Sequence, residues 1–343
     1  MEKKAQIPEG IDINKNILLV RLRIDPLAEM TDPPIFCKIG DSPTMTAGNF
    51  SLINGKAKSG KTFLLGSIVA SMINNSTQLG NITGCLPDDK RNVLYFDTEQ
   101  STYHATRTIK RICKLINNPD PENLIAFGLR PLTPAERLAV IEDAISTTDN
   151  LGAVAIDGIR DLLTMGINDE AEATALTSRF LKWTSDYDMH LILLLHQNKT
   201  DLNARGHIGT EILNKAETTL SVSKDKSNIF IVSCEYSRDI AFDDFGFIIN
   251  DGAICSSNTP ETGQLKGRNP QNIKDEEHIQ KLDLIFKESR KINRTDLIEA
   301  IQYHFNVGII KSRDFIYHYD IKKWVSKERD GKNVNYVYQR ARF

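Results

Sequence analysis

The chain has 343 residues, 40% hydrophobic and 26% charged, with 43 Lys/Arg against 45 Asp/Glu and a formal net charge of −2. That balance suits a soluble globular protein of two domains, or one large domain with a tail, and leaves any basic surface to be a local feature. Five scattered cysteines without C-x-x-C spacing (Cys37, Cys85, Cys113, Cys234, Cys255) argue for a reducing compartment and against a zinc site. The first residues, Met1 to Ala5, lack an apolar leader, and no apolar run nears the ~18 residues of a membrane span, so a cytoplasmic protein without membrane contact is expected.

In chain order, residues 1–47 hold Pro8, Pro26, Pro33, Pro34 and Pro43 between short apolar patches such as Ile17-Leu18-Leu19-Val20. They read as an extended lead-in with little structure of its own, packed on its own core or lent to a neighbouring subunit. From Gly48 the pattern alternates strand and helix. Strands are expected at 50–54, 92–97, 124–129, 151–157 and 190–195, with helices at 62–74, 101–116, from Thr133-Pro134, and at 170–187. Four consecutive strands without crossover helices follow at 218–222, 229–235, 245–250 and 253–255. A mainly parallel α/β sheet with a late antiparallel extension is the fold class that results. Residues 256–275, poor in apolar side chains, read as a linker. Beyond it come three helices (276–289, 294–305, 311–321) and two short strands (323–327, 335–339) around an Asp330-Gly331 hairpin signal. That order suggests a winged helix. The expected domains are therefore 1–47, 48–255, a linker at 256–275, and 276–343.

The most specific motif is Gly55-Lys56-Ala57-Lys58-Ser59-Gly60-Lys61-Thr62, set between an apolar strand and a helix beginning at Phe63. This is G-x-x-x-x-G-K-[ST] in its required context. Gly55 and Gly60 let the backbone curl so that its N–H groups, with those of Lys58, Ser59 and Phe63, face phosphate oxygens at a helix N-terminus. Lys61 would reach the β- and γ-phosphates and the Thr62 hydroxyl would bind Mg²⁺, which makes ATP with Mg²⁺ the expected ligand. Ala153-Val154-Ala155-Ile156-Asp157 is the matching carboxylate-ended strand, with Asp157 holding the metal through water.

Three further strand ends carry polar groups. Phe96-Asp97-Thr98-Glu99 offers Glu99 as general base or water-positioning group, unless Glu99 only caps the next helix or a register slip puts Asp97 in its place. His196 and Gln197, in His196-Gln197-Asn198-Lys199, are candidates for sensing the γ-phosphate, or are ordinary satisfied polar side chains. Arg238, in a turn between late strands, is either an arginine finger acting on an adjoining subunit or a simple partner of Asp239 or Asp243. The segments Arg160–Glu170 and Arg205–Ile212 read as mobile, Gly-punctuated loops at the edge where ligands are met.

Gly55–Thr62, Asp97-Thr98-Glu99, Ile156-Asp157, His196-Gln197-Asn198 and Arg205-Gly206-His207 together resemble the RecA-like ATPases over about residues 45–255. Within them the chain is most similar to the RepA-type hexameric replicative helicases of superfamily 4. The Arg205–Glu211 stretch is also similar to mobile-element ATPases of Bacteroides-type bacteria. The resemblance implies a ring or filament, a homo-oligomer with a hexamer as its usual form, ATP between subunits, and DNA on the two loops. Arg160, Lys199, Arg205 and His207 are the loop residues offered to DNA. Two departures stand out: Glu235 occupies the neighbourhood where such helicases often carry a Lys near the finger, and the loops are poor in aromatic and basic residues.

The segment Arg290–Phe343 holds twelve Lys/Arg against six Asp/Glu. Lys311, Arg313, Lys322, Lys323, Lys327, Arg329 and Lys332 would place the third helix in a major groove and the hairpin on phosphates. A winged helix used for protein contacts is the alternative. The expectation for the whole is an ATP-hydrolysing DNA-remodelling motor, a ring-forming helicase serving replication, mobilisation or excision of a plasmid or mobile element. A non-translocating, ATP-gated DNA-binding adaptor and a nucleotide switch without nucleic acid are the alternatives.

Overall fold

The computed structural model describes residues 17–196, 206–225, 227–250, 252–257, 270, 273–287, 289–305, 307, 309–330 and 333–339. Contacts divide the chain into Met1–Pro34 and Ile35–Phe343. In the first unit a short helix α1 (Ile17–Leu22) leads into an irregular stretch in which Ile24, Leu27 and Met30 are exposed.

The second unit opens on a hairpin, β1 (Ile35–Ile39) and β2 (Ser42–Thr46), and continues with β3 (Phe50–Gly55) and α2 (Lys61–Asn74). Two short strands, β4 (Thr77–Gln78) and β5 (Ile82–Gly84), precede β6 (Asn92–Asp97), α3 (Thr102–Leu115), β7 (Leu124–Gly128) and α4 (Pro134–Thr147). Then come β8 (Leu151–Asp157), α5 (Glu170–Tyr187), β9 (His190–His196), α6 (Gly206–Lys215) and β10 (Thr218–Lys224). Three antiparallel strands, β11 (Phe230–Ser237), β12 (Phe245–Asn250) and β13 (Ala253–Ser257), close the sheet.

Among the described residues the central sheet has nine strands in the order β13-β12-β11-β10-β3-β9-β8-β6-β7. The six from β10 to β7 run parallel and the other three antiparallel. The mainly parallel sheet with an antiparallel extension is as the strand pattern indicates. Alternation along each buried strand builds two cores. Leu191, Leu193 and Leu195 of β9 face α4, α5 and α6 with Phe180, Trp183 and Ile212. Ile192 and Leu194 face the other way, toward α2 and α3 with Ile68, Val69 and Ile112. Both faces are covered, which is why β8 and β9 read as continuous apolar runs. α4 begins on a complete capping box between Thr133 and Glu136, with Pro134 in the first turn.

Residues 35–47 correct the reading of 1–47 as a lead-in without structure. β1 and β2 join β5 and β4 in a four-stranded sheet, and Phe36, Ile39 and Met45 are buried in the same core as α2. Pro43 is tolerated because β2 is an edge strand. A second correction concerns 206–212, expected as a mobile loop. It is the start of α6, with Ile208, Gly209 and Ile212 buried.

The carboxyl-terminal region holds α7 (Asp275–Ile285), β14 (Lys291–Asn293), α8 (Arg294–Phe305), α9 (Ile309–Ile321), β15 (Val325–Asp330) and β16 (Asn333–Tyr338). Its sheet is ordered β14-β16-β15, and Leu282, Leu297, Ile301, Phe305, Phe315, Tyr319 and Trp324 form its own core. Most of the interval expected as a linker, 258–269 and 271–272, lies outside the described residues.

Candidate nucleotide site

Four parallel strands end at one edge of the sheet, and their registers bring the chemistry together. Gly55 at the end of β3 pairs with His196 at the end of β9, Asp157 of β8 pairs with Leu194, and Asp97 of β6 pairs with Asp157. The loop from Lys56 to Gly60 then turns into α2. Lys58 (φ 63°) and Gly60 (φ 90°) are left-handed, which aims consecutive backbone N–H groups into one concavity. At Gly55 a Cβ would lie 2.5 Å from the Val222 carbonyl oxygen, so only glycine lets the loop pass β10 this closely.

The Lys61 ammonium is buried and donates to the carbonyls of Gly55 (2.9 Å) and Lys56 (2.8 Å), with His196 Nδ1 at 3.0 Å. Burial lowers its pKa to about 8, partly offset by Asp157 and Glu99. With Nδ1 accepting from Lys61, the His196 ring carries its hydrogen on Nε2, which lies 3.5 Å from Glu99 Oε1. That contact is the main reason the Glu99 carboxyl sits below its usual range, with Lys61 and Arg160 adding to it. Lys61, His196 and Glu99 thus form one polar chain across the pocket.

Asp157 is buried, accepts from the Tyr95 hydroxyl at 3.1 Å and is hydrogen-bonded by the Thr62 side chain. Burial first, and then the neighbouring Asp97, raises its pKa to about 6. Asp97 braces the loop rather than facing the pocket. Its Oδ1 accepts from the backbone N–H of Glu99 (3.1 Å) and Gln100 (2.8 Å), and burial raises its pKa. Glu99 lines the pocket, while α3 is preceded by Ser101.

Residues 58–63, Glu99, Gln100, Asp157 and His196 line a pocket of about 390 Å³. The donor set fits a nucleoside triphosphate with a divalent cation. A concave row of N–H groups, the Lys61 ammonium and the Ser59 hydroxyl, buried without a hydrogen-bond partner among the described residues, suit phosphate oxygens; Thr62 and Asp157 suit a hard cation. Thr108, Arg111, Phe230 and Ile249 also line this pocket and were not anticipated. Only their place on α3, β11 and β12 reveals them, and no motif marks them in the sequence.

Arg238 lies elsewhere. It follows Ser237, whose partner Thr218 pairs in turn with Ser51, so it stands at the amino edge of the sheet, opposite the pocket of its own chain. Its guanidinium donates to the Lys215 carbonyl at 2.8 Å, and among the described residues no ion pair joins it to Asp239 or Asp243. Arg160 is exposed in the short 3₁₀ turn Ile159–Leu162, and His207 is exposed in the first turn of α6. Gln197, Asn198, Lys199, Arg205 and Lys332 lie outside the described residues, as do the side chains of Lys311 and Arg329. In the carboxyl-terminal region Arg313 and Lys323 are exposed, whereas Lys322 pairs with Asp275 (3.0 Å) and Lys327 with Asp320 (2.8 Å). Glu235, on β11, is half-buried with its carboxyl pKa raised by burial.

The fold and the site define a RecA-like P-loop core, in which one strand, β9, separates the P-loop strand from the strand bearing Asp157. Residues 33–201 are similar to the family model described as an AAA domain, a likeness in keeping with a nucleotide as the ligand of this site. No curated protein matches the chain. Among the described residues no helix is long and apolar enough to cross a membrane.

Proposed function

We propose that the chain is an ATP-hydrolysing, DNA-remodelling motor that assembles as a ring, acting as a helicase in replication, mobilisation or excision of a plasmid or mobile element. The observation that carries the hydrolytic part is the convergence of Lys61, Thr62, Asp157, Glu99 and His196 on one pocket. In this reading Lys61 and the backbone of 58–63 hold the phosphates, Thr62 and Asp157 hold Mg²⁺, and Glu99 orients the attacking water. His196 contacts both Lys61 and Glu99, so it is placed to report whether the terminal phosphate is present. Arg238, remote from its own pocket, suits service to an adjoining subunit.

DNA enters through Arg160 beside the pocket and through the carboxyl-terminal region, read as a winged helix with Arg313 and Lys323 outward. The pairing of Lys322 and Lys327 with acidic neighbours reduces the local positive field and favours a modest duplex contact over a strong one. That feature supports a second reading, an ATP-gated adaptor that binds DNA without translocating and recruits a recombinase, nuclease or replication factor. Steady-state hydrolysis with no DNA, single strands and duplex, for the chain and for Arg160→Glu and Arg313→Glu, decides between them. Stimulation by single strands lost in Arg160→Glu supports the motor; stimulation by duplex alone, lost in Arg313→Glu, supports the adaptor. Hydrolysis indifferent to DNA would remove both.

A further inference from the structure

One surface helix carries charge of a single sign. α3 has no Asp or Glu in its 14 residues, but Lys or Arg at 107, 110, 111 and 114. Its inward face, Ala105, Thr108, Ile112 and Cys113, is buried. The exposed positions are 102–104, 106, 107, 110 and 114, and none of them is aliphatic. Tyr103, Arg107, Lys110 and Lys114 follow at spacings of four, three and four, so they form one stripe, its three cations spread over about 10 Å of helix. Like charges crowd this side: Arg107 and Arg111, and Lys110 and Lys114, stand one turn apart, and burial, then the Arg107 charge, lowers the Arg111 pKa. Other surface helices neutralise cations in place, as Lys182 with Asp186 on α5, Lys215 with Glu211 on α6 and Lys281 with Glu277 on α7. On α3 none of the four cations has an ion-pair partner among the described residues. In a chain of net charge −2, this concentrates positive field on one exposed face, where it suits an anion from outside.

We propose that this stripe is a nucleic-acid backbone site: Arg107, Lys110 and Lys114 meet phosphates of one strand, and Tyr103 stacks on a base. Tyr103 is 71% exposed at the head of the stripe, with the His104 ring edge-on against it. The partner is nucleic acid rather than an acidic protein segment because the face offers no apolar anchor. Protein interfaces centre on buried apolar side chains and are depleted in lysine; here the exposed positions hold two lysines, no aliphatic group, and only Tyr103 and His104 as rings. A row of cations beside an exposed ring tracks a charged backbone and its bases. Backbone contacts carry no sequence information, so binding here is indifferent to sequence. The inference goes beyond the contacts proposed at Arg160 and Arg313, since it adds a separate surface and needs neither nucleotide nor hydrolysis.

The test is fluorescence anisotropy of labelled oligo(dT), and of a duplex of the same length, with the full chain and no nucleotide, over a range of salt. Lys110→Gln/Lys114→Gln removes two charges at exposed positions outside the pocket, and Tyr103→Ala removes the ring. The double variant is expected to bind oligo(dT) about tenfold more weakly and to lose about 1.4 from the salt slope, about 0.7 for each phosphate contact. Tyr103→Ala should weaken oligo(dT) about tenfold and leave the duplex, whose bases are already stacked, unaffected. Lys110→Arg/Lys114→Arg should bind as the wild type does, and thermal unfolding confirms that each variant is folded. Wild-type affinity and slope in the Gln double variant would overturn the proposal. So would displacement of oligo(dT) by poly-aspartate at equal charge together with wild-type binding by Tyr103→Ala, the signature of an acidic protein partner. If the wild type binds no nucleic acid, this proposal and the DNA reading above fall together. Binding lost in Arg160→Glu or Arg313→Glu but kept in the Gln double variant removes this proposal alone.

Discussion

Asp157 and His190 are two buried ionisable residues whose environments push them in opposite directions. The Asp157 carboxyl, raised to about 6 by burial, must be ionised to hold a cation. Mg²⁺-dependent nucleotide affinity should therefore fall about fourfold between pH 7.5 and pH 5.5, since a group with that pKa is then mostly protonated. Titrations at both pH values, with Asp157→Asn as the baseline, check this; equal pH dependence in the two proteins would count against it. His190 is fully buried, donates from Nδ1 to the Thr46 carbonyl (2.8 Å) and accepts from the Ser51 hydroxyl at Nε2 (2.9 Å), and burial lowers its pKa to about 4. Below its ordinary value near 6.5 the unfolded chain takes a proton that the folded chain refuses, so this residue's contribution is lost as pH falls from 6.5 toward 4. The raised Asp157 has the reverse sign, contributing at low pH and losing that contribution as pH rises through 6. Their opposition flattens the wild-type profile. His190→Asn should be less stable than the wild type at pH 7, with the gap narrowing by roughly 2–3 kcal/mol at pH 4.5 in urea unfolding. A gap that does not change with pH would contradict the assignment.

At the scale of elements, Gly60 shows how tightly the P-loop is built into its surroundings. Besides its φ of 90°, a Cβ there would lie 2.7 Å from the Phe230 ring and 3.0 Å from Phe247. Gly60→Ala is expected to lose nucleotide binding and about 1–3 kcal/mol of stability, read by calorimetry and by thermal or urea unfolding. Thr133→Ala, which removes the capping box of α4 far from the phosphate donors, should cost about 1 kcal/mol and leave hydrolysis unchanged. Parallel strands and their crossover helices were legible because both sheet faces are covered, and α4 and α5 open on capping side chains. The β1–β2 hairpin was not, because Pro33, Pro34 and Pro43 mask strands of five residues, and β5, the other partner of β1, begins only at Ile82. One signal was present: Gly40-Asp41 is a two-residue turn between Ile39 and Ser42, which pair directly. α6 was missed because Gly206 and Gly209 read as loop punctuation. Gly206 does mark the helix start with φ 75°, but Gly209 is buried inside the helix, where tertiary packing outweighs its poor propensity.

For the whole molecule, one end of the pocket follows from motifs with fixed spacing, whereas the other does not. Lys61 and Thr62 open α2, Asp157 ends β8 and Glu99 lies just past the end of β6, all positions that a sequence pattern can locate. Arg111, Phe230 and Ile249 are brought in by α3 and by the antiparallel strands, a long-range arrangement no local pattern encodes. Arg238 poses the corresponding question between subunits, being at the opposite sheet edge from its own pocket. If it completes a neighbour's site, Arg238→Ala and Lys61→Ala should each be inactive alone, yet regain part of the activity when mixed, because some interfaces then pair an intact pocket with an intact finger. Mixtures as inactive as their parents would place Arg238 outside the chemistry.

The most direct measurement is ATP hydrolysis and ATP binding by Glu99→Gln. The substitution keeps the size of the side chain and removes the carboxylate that faces His196 at 3.5 Å. The turnover rate should fall by about 10²–10⁴-fold with affinity retained, as expected for loss of the group that orients the attacking water. Hydrolysis at the wild-type rate would show that Glu99 does not serve the reaction and that the polar chain from Lys61 through His196 ends on a bystander.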